Sequence, residues 1–276
     1  MNILINYADK KYRPTQKFNS WTGKYIAKFD KVIEFTDSDI DKNFFFSNEK
    51  ILSDKRGNGL WLWKPYFVLK ALMQVDYGDV VFYCDAGSFF IRNIKNIINT
   101  MGKSDIWISE LPLLEKQFTK MDTFILMECM TDNYLETNQI QAGFIAVRKS
   151  ENSLKFVEEW LNYCSQYEII SASENKLGVN NDISFVAHRE DQSVLSLVSK
   201  KFKIIPHSDP TQYGRLPIMY NNNSKYIYSP SKVEKREYPT CIILHRKRKV
   251  TLRIIIKESL KIYLPINLVY KLMKTS

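Results

Sequence analysis

Short apolar runs alternate with longer segments of helical periodicity along this chain, and the alternation lays out elements from the N-terminus. Asn2 to Tyr7 predicts a first strand, and Lys31 to Thr36, with Val32, Ile33 and Phe35, predicts a second. Asp37, Ser38 and Asp39 follow as residues suited to cap a helix. The pattern is densest between Lys55 and Phe90. A basic turn with two glycines (Arg56, Gly57, Gly59) leads to Trp61 and Trp63 and then to Pro65, whose fixed φ suits the first position of a helix, so a helix is expected to start there. Phe67, Val68, Leu69, Leu72 and Met73 supply the apolar side of that helix, and Tyr77, Gly78 and Asp79 end it. Val80 to Cys84 is a continuous apolar run, the pattern of a strand buried on both faces. Asp85 stands at its carboxyl end, followed by Ala86 and Gly87.

The rhythm continues downstream, with a helix expected from Ile91 to Met101, a strand from Asp105 to Leu111 and a helix from Thr119 toward Met130. A strand (Phe144 to Val147) and a helix (Asn152 to Tyr167) come next, then a polar loop from Ser171 to Val179. A helix opens at Asp191, a short strand covers Lys203 to His207, a surface loop Asp209 to Pro217, a polar turn Asn221 to Ser224, and a late strand Cys241 to Leu244. Strands alternating with helices predict an α/β fold with a mostly parallel central sheet flanked by helices. Beyond it, Leu252, Ile254, Ile255, Ile256, Leu260, Ile262 and Tyr263 are interleaved with Arg253, Lys257 and Lys261. Pro265 then interrupts, and Leu268, Val269, Tyr270, Leu272 and Met273 form a second apolar group. The expected division is a domain over 1–250 and a basic amphipathic helical segment over 251–276, suited to lying on an anionic bilayer or packing on the domain.

Composition narrows the classes. At 276 residues and 45% hydrophobic content the chain has ample material for one large core. Cys84, Cys129, Cys164 and Cys241 lack metal-ligand spacing, three of them lie in apolar segments, and reduced thiols suit a cytoplasmic setting. The N-terminal segment lacks the features of a secretory signal, and no run reaches the ~18 apolar residues of a membrane span. A net charge of +10 points to an acidic partner: a nucleic acid, a nucleoside diphosphate or an anionic membrane. No nucleic-acid-binding motif accompanies the 13% aromatic content, so nucleic acid is the weakest of the three and is not an expected partner.

Chemistry gathers in a few places. In open α/β sheets ligands bind beyond the carboxyl ends of the strands, where Asp85 sits, although an Asp before a glycine-containing turn also has a plain structural use. Asp191 and Gln192 open a helix, where a carboxylate also serves the helix dipole. The late strand delivers His245, Arg246 and Arg248. An imidazole and a carboxylate together suit Mn²⁺ or similar ions, and arginine forks suit a pyrophosphate, while a solvated basic cluster is the alternative.

The segments R-G-x-G-x-W-x-W-K-P from Arg56 and G-D-x-V-x-Y-x-D-A-G from Gly78 resemble those of bacterial glycosyltransferases of capsule and lipopolysaccharide gene clusters, whose fold is of the GT-A type. Matches continue at Thr119-Lys120-x-Asp122, Asn138 to Phe144, Asp191 to Leu195 and His245-Arg246-x-Arg248. The resemblance implies a GT-A-like domain that moves a hexose of galactose or glucose type from a UDP-sugar to a growing surface polysaccharide or lipid-linked glycan. The cysteines and the N-terminal segment lead to the expectation of a cytoplasmic protein, and the basic tail to one of peripheral attachment at the inner face of the cell membrane, with packing against the domain or another subunit as the alternative. By the same resemblance Tyr7 and Asp9 contact the nucleotide, and Arg56, Trp63, Lys64, Asp85, Ala86, Gly87, Gln141, Ala142, Gly143, Gln192, His245, Arg246 and Arg248 hold the donor. Asp191 activates the acceptor or binds sugar, Asp85 shares the catalytic role, and Asp85 with His245 holds Mn²⁺ or Mg²⁺. One departure bears on the metal: where many GT-A enzymes carry D-x-D, the second acidic position here is Gly87. A non-catalytic module that binds nucleotide or glycan is the alternative from another class.

Overall fold

The computed structural model describes residues 1–220, 224–231 and 236–269. Its centre is a five-stranded sheet of β1 (Asn2–Tyr7), β2 (Lys31–Phe35), β3 (Val80–Cys84), β5 (Ile106–Trp107) and β8 (Phe144–Arg148), in the order β2-β1-β3-β8-β5. β1 pairs in parallel with β2 and β3, while β8 runs antiparallel to both β3 and β5, so four of the five strands point the same way. Two antiparallel pairs flank the sheet, β4 (Ser88–Phe90) with β9 (Ile242–Leu244) and β6 (Glu110–Leu114) with β7 (Asn138–Ile140).

Alternation along the inner strands explains their unbroken apolar runs. Ile3, Ile5, Val81 and Tyr83 enter one core, together with helices Trp63–Leu72, Glu151–Cys164 and Glu190–Lys201. Leu4, Val80, Phe82 and Cys84 enter a second core on the opposite face, closed by Phe29, Phe90, Ile94, Ile97, Trp107, Tyr238 and Ile242. Helix Trp63–Leu72 begins two residues before Pro65, which stands at its third position instead of its first. Helix Glu151–Cys164 is amphipathic and is opened by Ser150, whose hydroxyl accepts from Ser153 N at 3.1 Å. All four cysteines are buried and free, as expected of reduced core residues.

Several expected elements are redrawn by tertiary pairing. The helix expected over 91–101 shrinks to Lys95–Ile98 and a 3₁₀ turn, and its expected first residue, Ile91, continues the ribbon instead, donating its N–H to Cys241 O at 2.9 Å. The strand expected over 105–111 divides into β5 in the sheet and β6 outside it, with a register shift between Glu110 and Leu114. Lys203–His207 is not a strand; its one ladder contact is a bridge from His207 to Ser109. Asp209–Pro217 is not a surface loop either. Asp209, Thr211 and Gln212 are buried, and the Gln212 amide closes on the Leu244 backbone in both directions, at 2.6 and 3.0 Å. Gly214 is needed there, since a Cβ would lie 2.1 Å from Asp209 O.

The C-terminal helix spans Leu252–Tyr263, with Thr251 accepting from Ile254 N at 3.4 Å. Its inner side is tied down by polar bonds, including Arg215 to Leu264 O at 2.8 Å and Gln212 to Glu258 at 3.3 Å. Leu252, Ile256, Leu260 and Tyr263 lie exposed along its other side. Residues 266–269 are helical after Pro265; the rest of the second apolar group (Tyr270, Leu272, Met273), and Asn221 to Asn223 of the expected polar turn, lie outside the described residues. Among the described residues, no helix is long and apolar enough to cross a membrane.

A polar hub inside the first core fixes the elements around the β6–β7 pair. The Glu115 carboxylate, sealed from solvent, accepts from Thr119 Oγ1 at 2.6 Å, Gln139 Nε2 at 3.1 Å, Lys200 Nζ at 2.6 Å and the Ser196 hydroxyl. Glu115→Ala leaves the ammonium of Lys200 buried without its counter-charge and should cost about 3–5 kcal/mol in urea unfolding. Glu115→Gln, which keeps an accepting oxygen, should cost less.

Candidate active site

The sheet brings three chain segments to one place at the carboxyl end of β3. Asp85 leaves that strand with its side chain 37% exposed, and its backbone N–H donates to Gly143 O at 2.8 Å. β8 is antiparallel, so residues 141–143 enter it at this same end. Gly143 floors a notch: a Cβ there would lie 3.4 Å from both Asp85 Oδ2 and Gln141 Nε2. Gln141 is buried and its Oε1 has no hydrogen-bond partner among the described residues. A buried acceptor without a partner is uncommon in folded proteins and points to a bond made by something bound.

Beneath the notch lies Lys64, whose side chain is 4% exposed on a helix that is otherwise apolar but for Lys70 and the Tyr66 hydroxyl. Its ammonium is 2.7 Å from Asp191 Oδ2 and 3.7 Å from Asp85 Oδ1, and it donates to Ala142 O at 3.0 Å. Burial alone would depress this ammonium, but Asp191 and Asp85 outweigh it and the net shift is upward. Burial pushes the Asp191 carboxyl up to about 7 against the opposing pull of Lys64, with Asp85 and Glu190 adding to the rise. Tyr83, directly below, donates its hydroxyl to Asp85 Oδ1. Asp85 is therefore the open carboxylate of the pair and Asp191 the enclosed one.

The remaining predicted residues fall into distinct settings. Gln192 is part of a relay: its Oε1 accepts from Ala142 N at 3.4 Å, and its Nε2 donates to Gln139 Oε1 at 2.7 Å. Ala86 is buried beside Asp85. Gly87 packs on the late turn: its carbonyl accepts from both His245 N and Arg246 N at 2.9 Å, and a Cβ at 87 would lie 3.2 Å from Arg246 Cα. Arg246 and Arg248 are exposed. Arg56 is paired with Glu190, so its charge is already matched. Tyr7 and Trp63 stack on each other at 4.0 Å and are buried, and the Tyr7 hydroxyl is bound by Asp37 and Asn58; they shape the floor instead of offering an open ring face. Asp9 caps a turn, accepting from Lys11 N and Tyr12 N at 3.0 Å each.

For a metal, the donors at hand are Asp85 and His245. Burial holds the His245 imidazole near 4, so it is neutral and fit to ligate; Nδ1 accepts from Lys247 N at 3.0 Å, and Nε2 is buried with no partner among the described residues. No third ligand joins them, since no group of three His, Cys, Asp or Glu suited to a metal exists among the described residues. A side chain at 87 would displace the turn that carries His245. Two protein ligands are too few for an ion held by the protein alone.

Backbone strain marks the same region. Of the eight non-glycine residues at positive φ among the described residues, five (Asn58, Leu60, Trp61, Glu190 and Arg246) border these groups. The sequence motif Thr119-Lys120-x-Asp122 lies apart: Asp122 accepts from Lys176 N at 2.6 Å and Lys120 donates to Ser173 at 3.3 Å, so it pins the polar loop. His188, buried and pushed down to about 3 mainly by burial, accepts from Lys120 N at 3.3 Å in the same support. Sequence reasoning missed Gln139, Tyr83, Glu190 and Arg189. The signals were slight, a second Gln in Asn138 to Gln141 and two charges just before Asp191.

No family model matches the chain and no curated protein matches its sequence. Among solved structures it is similar to mouse xyloside xylosyltransferase 1 in its apo form, at 11% identity over 91% of this chain and 100% of that one, TM-score 0.48. It is similar also to the galactosyltransferase LgtC in complex with donor and acceptor sugar analogues, at 12% identity over 90% and 87%, TM-score 0.47. A third is the bifunctional glycosyltransferase WbbM, at 9% identity over 71% of this chain and 36% of that one, TM-score 0.43. Likenesses at this level say nothing about substrate or chemistry.

The raised Asp191 carboxyl makes stability depend on pH. With its folded value near 7 against an ordinary 3.8, the folded chain holds a proton between about pH 4 and 7 that the unfolded chain gives up. This contribution is present at low pH and fades as pH rises through that window. Relative to the wild type, Asp191→Asn should therefore gain stability from pH 5 to pH 7.5, on the order of 2 kcal/mol, in paired urea titrations.

Proposed function

We propose that the protein is a glycosyltransferase that takes a hexose, of galactose or glucose type, from a UDP-sugar and places it on a surface polysaccharide or lipid-linked glycan. The observation that carries this reading is the notch over Gly143, bounded by the open carboxylate of Asp85 and the unpartnered amide oxygen of Gln141. Glycine lets a sugar ring lie against backbone, and an acid and an amide at its rim are the groups that bind sugar hydroxyls. The motif resemblance that begins at Arg56 supports the same activity.

Transfer requires a pocket for the sugar, charge to receive the departing diphosphate, and an acceptor for the incoming hydroxyl proton. In this reading Gln141, Ala142 and Gly143 hold the sugar, and Asp85 contacts it. Arg246 and Arg248 face the diphosphate, while Arg56, already paired with Glu190, would serve only if that pair opened. Asp191 acts through Lys64: it keeps the ammonium charged beneath Asp85 and is a positioning residue. A divalent ion, if shared between Asp85, His245 and the diphosphate, would add positive charge at the leaving group.

A panel of UDP-sugars tested for slow donor hydrolysis, with and without Mn²⁺, addresses this directly. Asp85→Asn should lower turnover about 10²–10³-fold. UDP binding without turnover of any donor, unaffected by Asp85→Asn, would favour the non-catalytic module.

We also propose that residues 251–276 form a basic segment that rests on the cytoplasmic face of a membrane, near a lipid-linked acceptor. The stripe Leu252, Ile256, Leu260 and Tyr263 is exposed, with Arg253 and Lys257 beside it, a pairing of apolar and basic groups suited to an anionic surface. Sedimentation with vesicles containing phosphatidylserine should fall markedly for Leu252→Glu with Ile256→Glu, and neutral vesicles should bind weakly.

A further inference from the structure

Arg189 has no ion-pair partner among the described residues. It precedes helix Glu190–Lys201, and its guanidinium lies 3.6 Å over the Phe118 ring, with one nitrogen donating to Gln139 Oε1 at 3.1 Å. No carboxylate among the described residues lies within ion-pair distance of it. Acids adjoining it in the chain or through Gln139 are committed elsewhere, Glu190 to Arg56, Asp191 to Lys64 and Glu115 to Lys200. Its other charged neighbour, Arg246, is of the same sign, and Tyr220 and Tyr226 stand beside it; burial and Arg246 both disfavour its charged form.

Such an arrangement is costly for a purely structural arginine. A partly desolvated guanidinium is ordinarily matched by a carboxylate, and a neutral amide, the Tyr226 hydroxyl and a ring face return only part of the lost hydration. Five N–H donors in a rigid fork are made for a planar or tetrahedral oxyanion. The position is telling as well. Gln139 Oε1, which receives Arg189, also receives Gln192, and Gln192 reaches the Ala142 backbone that Lys64 holds from its other end. Arg246 packs its backbone on Gly87, two residues from Asp85.

We propose that Arg189, with Arg246, forms a seat for an anionic oxygen group, a phosphate or a carboxylate, at the edge of the notch over Gly143. The proposal rests on the reading of that notch as a donor-sugar site and adds to it a specificity for charge. The anion has two possible sources, the diphosphate of the donor or an acidic group on the acceptor glycan. Both are met by the same fork.

The test uses the full chain and two probes, inorganic pyrophosphate and glucuronate, titrated by calorimetry against wild type, Arg189→Gln and Arg189→Lys. Arg189→Gln should weaken one probe about 10- to 100-fold, the loss expected for a hydrogen-bonded charge. Arg189→Lys should fall between, since lysine keeps the charge but not the fork. Loss confined to pyrophosphate assigns the seat to the donor, and loss confined to glucuronate assigns it to the acceptor. Unchanged melting temperature of the lysine variant separates lost binding from lost fold. Wild-type chain that binds neither probe, or variants that bind both as the wild type does, would overturn the seat. If UDP-sugars are turned over all the same, the proposed function stands without it; if pyrophosphate binds through Arg189 but no nucleotide sugar does, the seat stands and the function does not.

Discussion

One buried ammonium organises the candidate site. Lys64 comes from the helix after the tryptophan turn, Asp85 from the end of β3, Ala142 from the entry to β8 and Asp191 from a late helix, and all four meet within hydrogen-bond or ion-pair range of one another through that single group. An ammonium so enclosed is tolerated only while its partners stay in place, because removing one partner of a buried pair costs about 3–5 kcal/mol. The interaction thus works as a geometric constraint more than a source of net stability. Segments separated by more than a hundred residues are held in one arrangement, and Asp85, the least enclosed of the partners, is left facing solvent.

The constraint also explains where the strain lies. Residues 58, 60 and 61 take positive φ in the turn that precedes Lys64, and Glu190 takes it immediately before Asp191. Each of these costs roughly 1 kcal/mol or more for a residue with a side chain, so each needs compensation from its surroundings. The Arg56–Glu190 pair joins the two strained turns to each other, and Trp63 Nε1 donates to Gly57 O at 2.9 Å across the first of them. Packing of Tyr7 against Trp63 and Phe67 fastens that turn to the sheet. The arrangement fits a pocket shaped before a ligand arrives.

Much of this was legible in the chain. A continuous apolar run with an acid at its end gave β3 and Asp85, because a strand buried on both faces leaves no alternation to confuse with a helix. The C-terminal amphipathic helix was equally clear from its spacing. What failed to show were features set by long-range pairing: the β4–β9 ribbon, the inward path of Asp209 to Gly214, and the division of the 105–111 strand. Nothing local to Ser88–Phe90 distinguishes a strand pairing with residues 242–244 from the start of a helix. The relative exposure of the two acids was hidden for the same reason. Asp191 reads as a helix-start carboxylate open to substrate, yet Lys64, 127 residues earlier, encloses it.

Charge accounting then turns a bulk property into a local one. The +10 balance of the chain says only that some acidic partner is suited to it. In the folded molecule the cations nearest the notch separate into two groups. Lys64, Arg56 and Lys200 are each matched by an acid and serve the architecture. Among the described residues Arg189 has no ion-pair partner, and Arg246 and Arg248 are exposed on the turn that packs against Gly87. Arg246 and Arg248 thus leave exposed positive charge on a turn whose backbone packs against Gly87, two residues from Asp85. A sugar carrying a diphosphate needs this combination, a polar notch for its neutral hydroxyls and positive charge a short distance away. A neutral glycan alone would leave the cationic rim without an explanation, and a duplex nucleic acid would leave the Gly143 notch without one.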